Sequence, residues 1–266
     1  MTAIETKKQL AKEYSGIKYI LNSGMRSKLL LAMYDNPKNL DELRNELKKP
    51  SATILHGLKE LENINLIKKV QKYYELTSNG FLLTTNLIKL IENWHTLNKS
   101  KLFWNNHDLS GIPDDFLKEI YHLKNAEYIT STTSDLSNAF NTYIKLISKS
   151  KKLNVILPIY SENHLKHLIK LLNDEKLKKL ELIVSEEILK SIEENVLFKK
   201  ELLENYKVKI HCIEGILKVF LTYSEEFMSL TLFFKDGHYD DSQILVAKDK
   251  NALKWAKNLM KKYKKR

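Results

Sequence analysis

The sequence predicts a two-domain chain of α+β / α/β class: an N-terminal winged helix, a long connecting helix, and a C-terminal α/β domain with a mainly parallel sheet. Three observations predict it. Residues 17–80 hold three helical apolar patterns followed by two short β-prone runs. Apolar positions from Leu83 to Trp104 keep a four-three spacing, broken only by Lys101, with no proline. Beyond residue 105, β-prone runs alternate with helical patterns, the rhythm of a sheet covered by helices. The boundaries that follow are 1–80, 81–104 and 105–266. With 266 residues, 43% of them hydrophobic, the chain can fill two cores.

The first helix carries Ile17, Ile20 and Leu21 on one face and is interrupted by "NSG" at 22–24. Leu29, Leu30 and Met33 resume the pattern, with Ser23 expected as N-cap. Asn39 and Glu42 have capping-box spacing ahead of Leu40, Leu43 and Leu47. Pro50 then stops that helix, Ser51 is expected to cap the next, and Ile54, Leu58 and Leu61 form its apolar face. "NLIKKV" and "YYEL" read as a hairpin turning at Gln71-Lys72. Thr77 is expected to cap a helix running to about residue 104, whose stripe Leu83, Leu87, Leu90, Trp94, Leu97 and Trp104 resembles a coiled-coil seam and fits dimerisation, with packing into the chain's own core as the equal alternative.

"NNHDLSGIPDD" at 105–115 marks the domain boundary. Strands are predicted at 126–130, 153–157, 180–184, 208–213, 216–222 and 228–234, the last three open to antiparallel pairing. Helices are predicted at 135–149, 162–173, 186–204 and 249–263.

Several chemistries are excluded by what the sequence lacks. Seven scattered glycines build no phosphate-binding loop, and neither a G-x-S-x-G elbow nor H-E-x-x-H occurs. His164 and Lys166 have the spacing of the phospholipase D-like H-x-K-x-x-x-x-D signature, but its Asp position is Leu171, so both are expected on an exposed helix face. His164 and His167 alone do not fix a metal. A single cysteine, Cys212, excludes an internal disulfide and is expected as a small buried strand residue. No apolar run reaches the roughly 18 residues of a membrane helix, and no signal-peptide core opens the chain. The expectations are therefore a cytoplasmic protein with no membrane partner, no cofactor, no metal and no catalytic residues.

Polyanion binding is favoured by a formal charge of +11. With Ile54, Leu58 and Leu61 turned inward, helix 51–63 presents Ser51, Ala52, Thr53, His56 and Lys59. Small hydroxyl residues followed by a longer donor suit entry into a major groove. Lys48 and Lys49 precede that helix, and wing 66–76 adds Lys68, Lys69, Gln71, Lys72 and Tyr73 for the phosphate backbone. Between 44 and 72, seven cations face three acids. Any one lysine is an ordinary solvated charge; the ordered set of helix, turn, helix and basic hairpin points to double-stranded DNA.

A second segment draws attention. "FFKDGHYDD" at 233–241 follows an apolar strand, and Asp236, Tyr239 and Asp240 are candidates for binding a small-molecule or protein effector at a strand end. A tight turn with Asp caps is the ordinary alternative.

Residues 17–80, "IKYILNSGMRSKLLLAMYDNPKNLDELRNELKKPSATILHGLKELENINLIKKVQKYYELTSNG", resemble an archaeal winged helix-turn-helix regulator of the ArsR-like type. "FWNNHDLSGIPDDFLKEI" (103–120), "SKKLNVILPIY" (150–160) and "SLTLFFKDGHYDDSQILVAKDKNALKWA" (229–256) resemble the companion domain of FilR-type methanogenesis regulators. The resemblance implies a transcription regulator, usually a homodimer, whose C-terminal domain senses or transmits a signal. His56 stands where such proteins often place Arg, and Ala256 stands where they favour Gly. The cysteine motif of metal-sensing relatives is absent, so metal sensing does not follow. The alternative is an enzyme with an α/β catalytic domain and a winged-helix docking module.

Overall fold

Helix α1 (Ala3–Leu21) gives way to Ser23, which starts α2 (Gly24–Ala32) by accepting from the Arg26 amide at 3.3 Å. The computed structural model describes residues 3–265, and its contacts divide the chain into two units, 1–91 and 92–266. Strand β1 (Lys38–Asn39) leads into α3 (Leu40–Leu47). The α3 capping box is complete: Asn39 Oδ1 accepts from the Asp41 and Glu42 amides, and the Glu42 carboxylate accepts from Asn39 N at 2.7 Å. Helix α4 (Ser51–Asn63) follows, then β2 (Ile67–Val70) and β3 (Tyr73–Leu76), which turn at Gln71-Lys72 as the sequence predicts. Ser51 is the first helical residue and not the cap; Pro50 takes that position, with no side chain capping the helix. Pairing of β1 with β3 gives a three-stranded antiparallel sheet, and Leu29, Leu30, Leu43, Ile54, Leu58, Leu61 and Ile67 fill the core beneath it.

Thr77 joins the hairpin to α5 (Ser78–Lys99). Its hydroxyl donates to Asn65 O at 2.8 Å and accepts from Gly80 N at 3.1 Å. A Cβ at Gly80 would lie 1.8 Å from Leu66 O, so only glycine permits this approach. The long helix is shorter than predicted. Ser100 leaves helical geometry (φ −149°, ψ 82°), and α6 (Lys101–Asn106) starts afresh, which turns Phe103 and Trp104 into the core of the second unit.

The second unit continues with β4 (His107–Asp108), α7 (Asp114–Leu117), a 3-10 turn (Ile120–Leu123), β5 (Glu127–Thr130), α8 (Asn138–Ile147), β6 (Lys152–Ile156) and α9 (Glu162–Asn173). Next come β7 (Lys179–Ser185), α10 (Glu186–Glu194), and α11 (Val196–Phe198) running into a π-helical turn (Lys199–Leu203). Strands β8 (Val208–Ile213), β9 (Val219–Tyr223), β10 (Met228–Phe234) and β11 (Gln243–Ala247) lead to α12 (Lys250–Tyr263).

The sheet runs β5-β11-β10-β9-β6-β7-β8, with β4 added on β10. It is mixed, which corrects the expectation of a mainly parallel sheet: only β6, β7 and β8 are parallel. The reason lies in the connections, because a parallel step needs a crossover of about a dozen residues or more. The segments that join β9, β10 and β11 are too short for one, so they pair antiparallel, and β5 does the same against β11. Side chains alternate between two cores. Val219, Leu221, Leu230 and Leu245 meet α6, α7 and α12 on one face, while Val155, Leu182, Phe220 and Ile244 meet α8, α9 and α10 on the other. Cys212 is exposed on edge strand β8, not buried as expected. Among the described residues, no helix is long and apolar enough to cross a membrane.

Candidate functional site

On α4 the apolar stripe faces inward and leaves Ala52, Thr53, His56 and Lys59 exposed, with Ser51 half-buried at the helix start. Lys48, exposed and left-handed (φ 51°), makes the turn out of α3, and Lys49 follows it into solvent. The structure thus places the predicted helix residues on one face and the two lysines at its entry.

The hairpin sorts its cations. Lys68 sits directly across from Glu75 and pairs with it at 2.9 Å, which neutralises it. Lys69 lies over the Tyr74 ring at 5.4 Å and Lys72 over the Tyr73 ring at 5.6 Å. Among the described residues neither has a carboxylate partner, and Gln71 between them takes positive φ (55°) at the exposed tip. The free charge of the hairpin is therefore at Lys69 and Lys72.

One group escapes sequence reasoning. Arg26, buried in α2, binds Glu60 of α4 at 2.8 Å, donates to Tyr19 O and stacks over the Tyr19 ring at 3.7 Å. The Tyr19 hydroxyl also reaches Glu60, at 3.2 Å. The Arg26 hydrogen bond holds the Glu60 carboxyl below its usual range. His56 Nε2 lies 3.6 Å from the same carboxylate, beyond hydrogen-bond distance, and the imidazole is largely exposed. A lone arginine within "GMRSKLLLA" gives no local sign of this.

The predicted stripe on α5 and α6 is divided. Leu83 and Leu87 are covered, Leu97 packs against the second core, and Trp104 is buried there with its indole N–H donating to the Tyr128 hydroxyl at 2.8 Å. Leu90 and Trp94 stay exposed, joined by Ile91. Trp104 is thus unavailable to a partner.

In the second unit a cavity of about 40 Å³ lies between α8, α9 and the sheet. The rings of Phe140, Tyr143, His164, Phe220 and Tyr239 wall it, and Ser229, Thr231, Asp240, Asp241 and Gln243 supply polar atoms. His164 is not on an exposed face as the sequence suggested. Its ring packs at 4.9 Å from Phe140 and 5.2 Å from Phe220, and its Nδ1 shares a hydrogen bond with Ser161 Oγ at 2.9 Å. Burial brings its pKa down to about 4, leaving a neutral imidazole near pH 7, and burial pushes the Tyr143 hydroxyl up to about 12. Lys166 is exposed and paired with Glu162 at 2.6 Å, so it does not converge with His164. Among the described residues, no group of three or more His, Cys, Asp or Glu could hold a metal ion.

Tyr239 and Asp240 line this cavity; Asp236 does not. Asp236 caps the exposed turn by accepting from His238 N at 3.1 Å, where Gly237 has φ 95°. Asp240 is buried and fully engaged. Oδ1 accepts from Ser242 N and Oγ, while Oδ2 contacts His107 Nε2 at 3.0 Å and Gln243 Nε2 at 3.3 Å. Burial works against its charge, but the His107 and Ser242 hydrogen bonds prevail and hold its pKa below the ordinary value. His107 Nδ1 meets Phe103 O at 2.5 Å, so this pair ties the cavity wall to the end of α6. Aromatic faces and a neutral imidazole, with no lysine or arginine among the described lining, disfavour an anion, and about 40 Å³ is space for a water-sized group.

Comparison with known proteins adds the following. The "Methanogenesis regulatory protein FilR1, N-terminal domain" family matches residues 14–94, and the corresponding "middle domain" family matches residues 136–266. The curated methanogenesis regulatory protein FilR1 of Methanothrix harundinacea (strain 6Ac) is 24% identical over 257 residues, 93% of this chain and 56% of that protein. The chain thus spans little more than half the length of that relative. Among solved structures, the archaeal chromatin protein TrmBL2 is 13% identical, with 90% of each chain covered and a TM-score of 0.40. Quinone-bound YodB from B. subtilis is 19% identical, covering 31% of this chain and 94% of its own (TM-score 0.30). The dimethyltransferase RosA from Streptomyces davawensis is 13% identical, covering 80% and 67% (TM-score 0.25). Structural likenesses this low carry no weight for fold or function.

Proposed function

Because the chain belongs to the family of the methanogenesis regulatory protein FilR1, through both its N-terminal and its middle domain, we propose that it is a sequence-specific, DNA-binding transcription regulator. One observation carries the reading. The exposed face of α4 offers Thr53 and His56 beside a hairpin whose two unpaired lysines flank its tip. In this reading α4 enters the major groove as the recognition helix of a winged helix, and Lys69, Lys72, Lys48 and Lys49 contact phosphate. Gln71 and Tyr73 complete the wing surface.

The finer parts of the proposal rest on separate features. A homodimer would use the exposed apolar residues Leu90, Ile91 and Trp94 of α5, and two copies would match a two-fold operator. The second unit would take an effector at the aromatic cavity, with Tyr239 and Asp240 in its wall and Asp236 at the adjoining turn. A ligand that moved Asp240 would also move His107 and the end of α6. An enzymatic role has less support, since His164 and Lys166 do not converge.

Selection of bound duplexes from a random pool, with the full-length chain, tests the reading. One enriched motif, lost when Thr53 and His56 are both replaced by Ala, is the expected result. A pool that stays random after selection would sink it. Sedimentation should give a dimer that Trp94→Ala weakens.

A further inference from the structure

The formal charge is not spread over the chain. Residues 249–266 hold eight cations against Asp249 alone, a net +7, and residues 44–72 hold seven against three, a net +4. Together these two segments equal the whole +11, so the remaining residues are neutral in sum. The second segment is the basic reading surface described above. The first is α12 with its flanks, in a unit to which no polyanion contact has yet been given.

Helical spacing orders those cations. Ala252, Trp255, Ala256, Leu259, Met260 and Tyr263 are buried against the sheet. Lys250, Lys254, Lys257 and Lys261 recur at intervals of four, three and four on the opposite, exposed face, over about 16 Å of helix. No acid lies between Lys250 and Tyr263. Among the described residues these four lysines have no carboxylate within ion-pair distance. Lys262 and Lys264, nearer the edges, are paired with Asp115 and Glu181. Beside the helix a cleft of about 230 Å³ is lined by Lys152, Lys257, Lys261 and Lys264 with Asn154 and Tyr223, against the single acid Glu225. The lysine row thus continues from the helix onto strand β6.

An array of unpaired cations that no intramolecular acid offsets raises the energy of the folded chain by mutual repulsion, and a polyanion relieves it. Its pitch suits a linear row of phosphates more than an isolated anion. Besides the short amides Asn251 and Asn258 the exposed face is lysine, and ammonium groups on flexible stems respond to charge and not to the identity of a base. We infer that the exposed lysine face of α12, with Lys152, is a second DNA-binding surface, which grips the phosphate backbone of duplex DNA without regard to sequence. This rests on the DNA-binding function proposed above and adds to it a separate, non-reading contact in the companion unit.

The test uses the full chain with Lys254, Lys257 and Lys261 all changed to Gln, which keeps helix propensity and touches no ion pair. Binding is titrated on an unrelated duplex, on a selected duplex and on anionic phosphatidylserine vesicles, over a range of salt. About tenfold or greater loss on both duplexes is expected, with a salt slope flatter by about two to three units, unchanged sequence preference and an unfolding temperature that does not fall. The matching Lys→Arg variant should retain binding. Unaltered duplex affinity and salt slope would overturn the inference, as would a loss confined to vesicles. The α4 reading fails separately: Thr53→Ala/His56→Ala without effect on selection would sink that reading and leave the unrelated-duplex result to stand or fall alone.

Discussion

Helices α4 and α12 each lay one apolar face into a core, Ile54, Leu58 and Leu61 in the first and Ala252, Trp255, Ala256 and Leu259 in the second, yet their exposed faces differ in chemistry. α4 shows Ala52, Thr53, Leu55 and His56 with one lysine, Lys59, and an acid, Glu62. α12 shows a row of lysines. Groups that donate in fixed directions can discriminate between base edges, whereas ammonium groups on flexible stems respond only to charge. In the proposed reading the same amphipathic design supports two different tasks, and the buried half of each helix says nothing about which.

That comparison is sharpened first by separating anchoring from contact. Trp255→Ala removes a buried indole whose N–H donates to Phe116 O at 3.2 Å, and should cost about 3–5 kcal/mol of stability in denaturant unfolding. Its effect on DNA should appear only through the folded fraction. On α4, Thr53→Ala or His56→Ala should leave stability nearly unchanged and cost about 1–3 kcal/mol at particular base pairs, read by competition with single-site operator variants. A uniform loss over all variants would erase the distinction between the two faces. Smaller still, Lys69→Ala, Lys72→Ala and Lys257→Ala should each lower the salt slope by about one unit without changing preference. If Lys257→Ala altered preference while His56→Ala did not, the two helices would have to exchange roles.

A separate effect concerns pH and the cavity. An ordinary histidine titrates at 6.5, but burial brings His164 down to about 4. Between those values the unfolded chain takes up a proton that the folded one refuses. Its contribution to stability is complete above 6.5 and declines as pH falls toward 4. His164→Gln should flatten the unfolding temperature across that window, measured at several pH values on each protein.

The parts of the fold that the sequence reveals are those with a local signal. Period-3.6 runs mark α4, α9 and α12, the capping box at Asn39 is visible as spacing, and the β2–β3 turn is marked by two polar residues between β-prone runs. Strands β1 and β4 have two residues each and no pattern of their own; pairing alone makes them strands. The mixed sheet follows from connection length, which propensity does not weigh. The helix break at Ser100 falls where neither Gly nor Pro announces it, because burial of Phe103 and Trp104 decides it. Of the candidate site, the α4 face and the hairpin tip are local and were legible. The His107–Asp240 pair joins residues 133 positions apart, and the ring walls of the cavity come from four separated segments, so no window of sequence holds either.

The contact at Gly80 has a mechanical consequence. With the Leu66 carbonyl seated where any other residue would carry a Cβ, and Thr77 bonded to both sides, the junction between hairpin and α5 has no slack. Hairpin and helix move as a single lever. In the proposed reading, the angle at which Lys69 and Lys72 would meet a duplex is inherited from the direction of the first turns of α5, and turning them by a few degrees would lift or lower the tip with no change in any residue proposed to touch DNA.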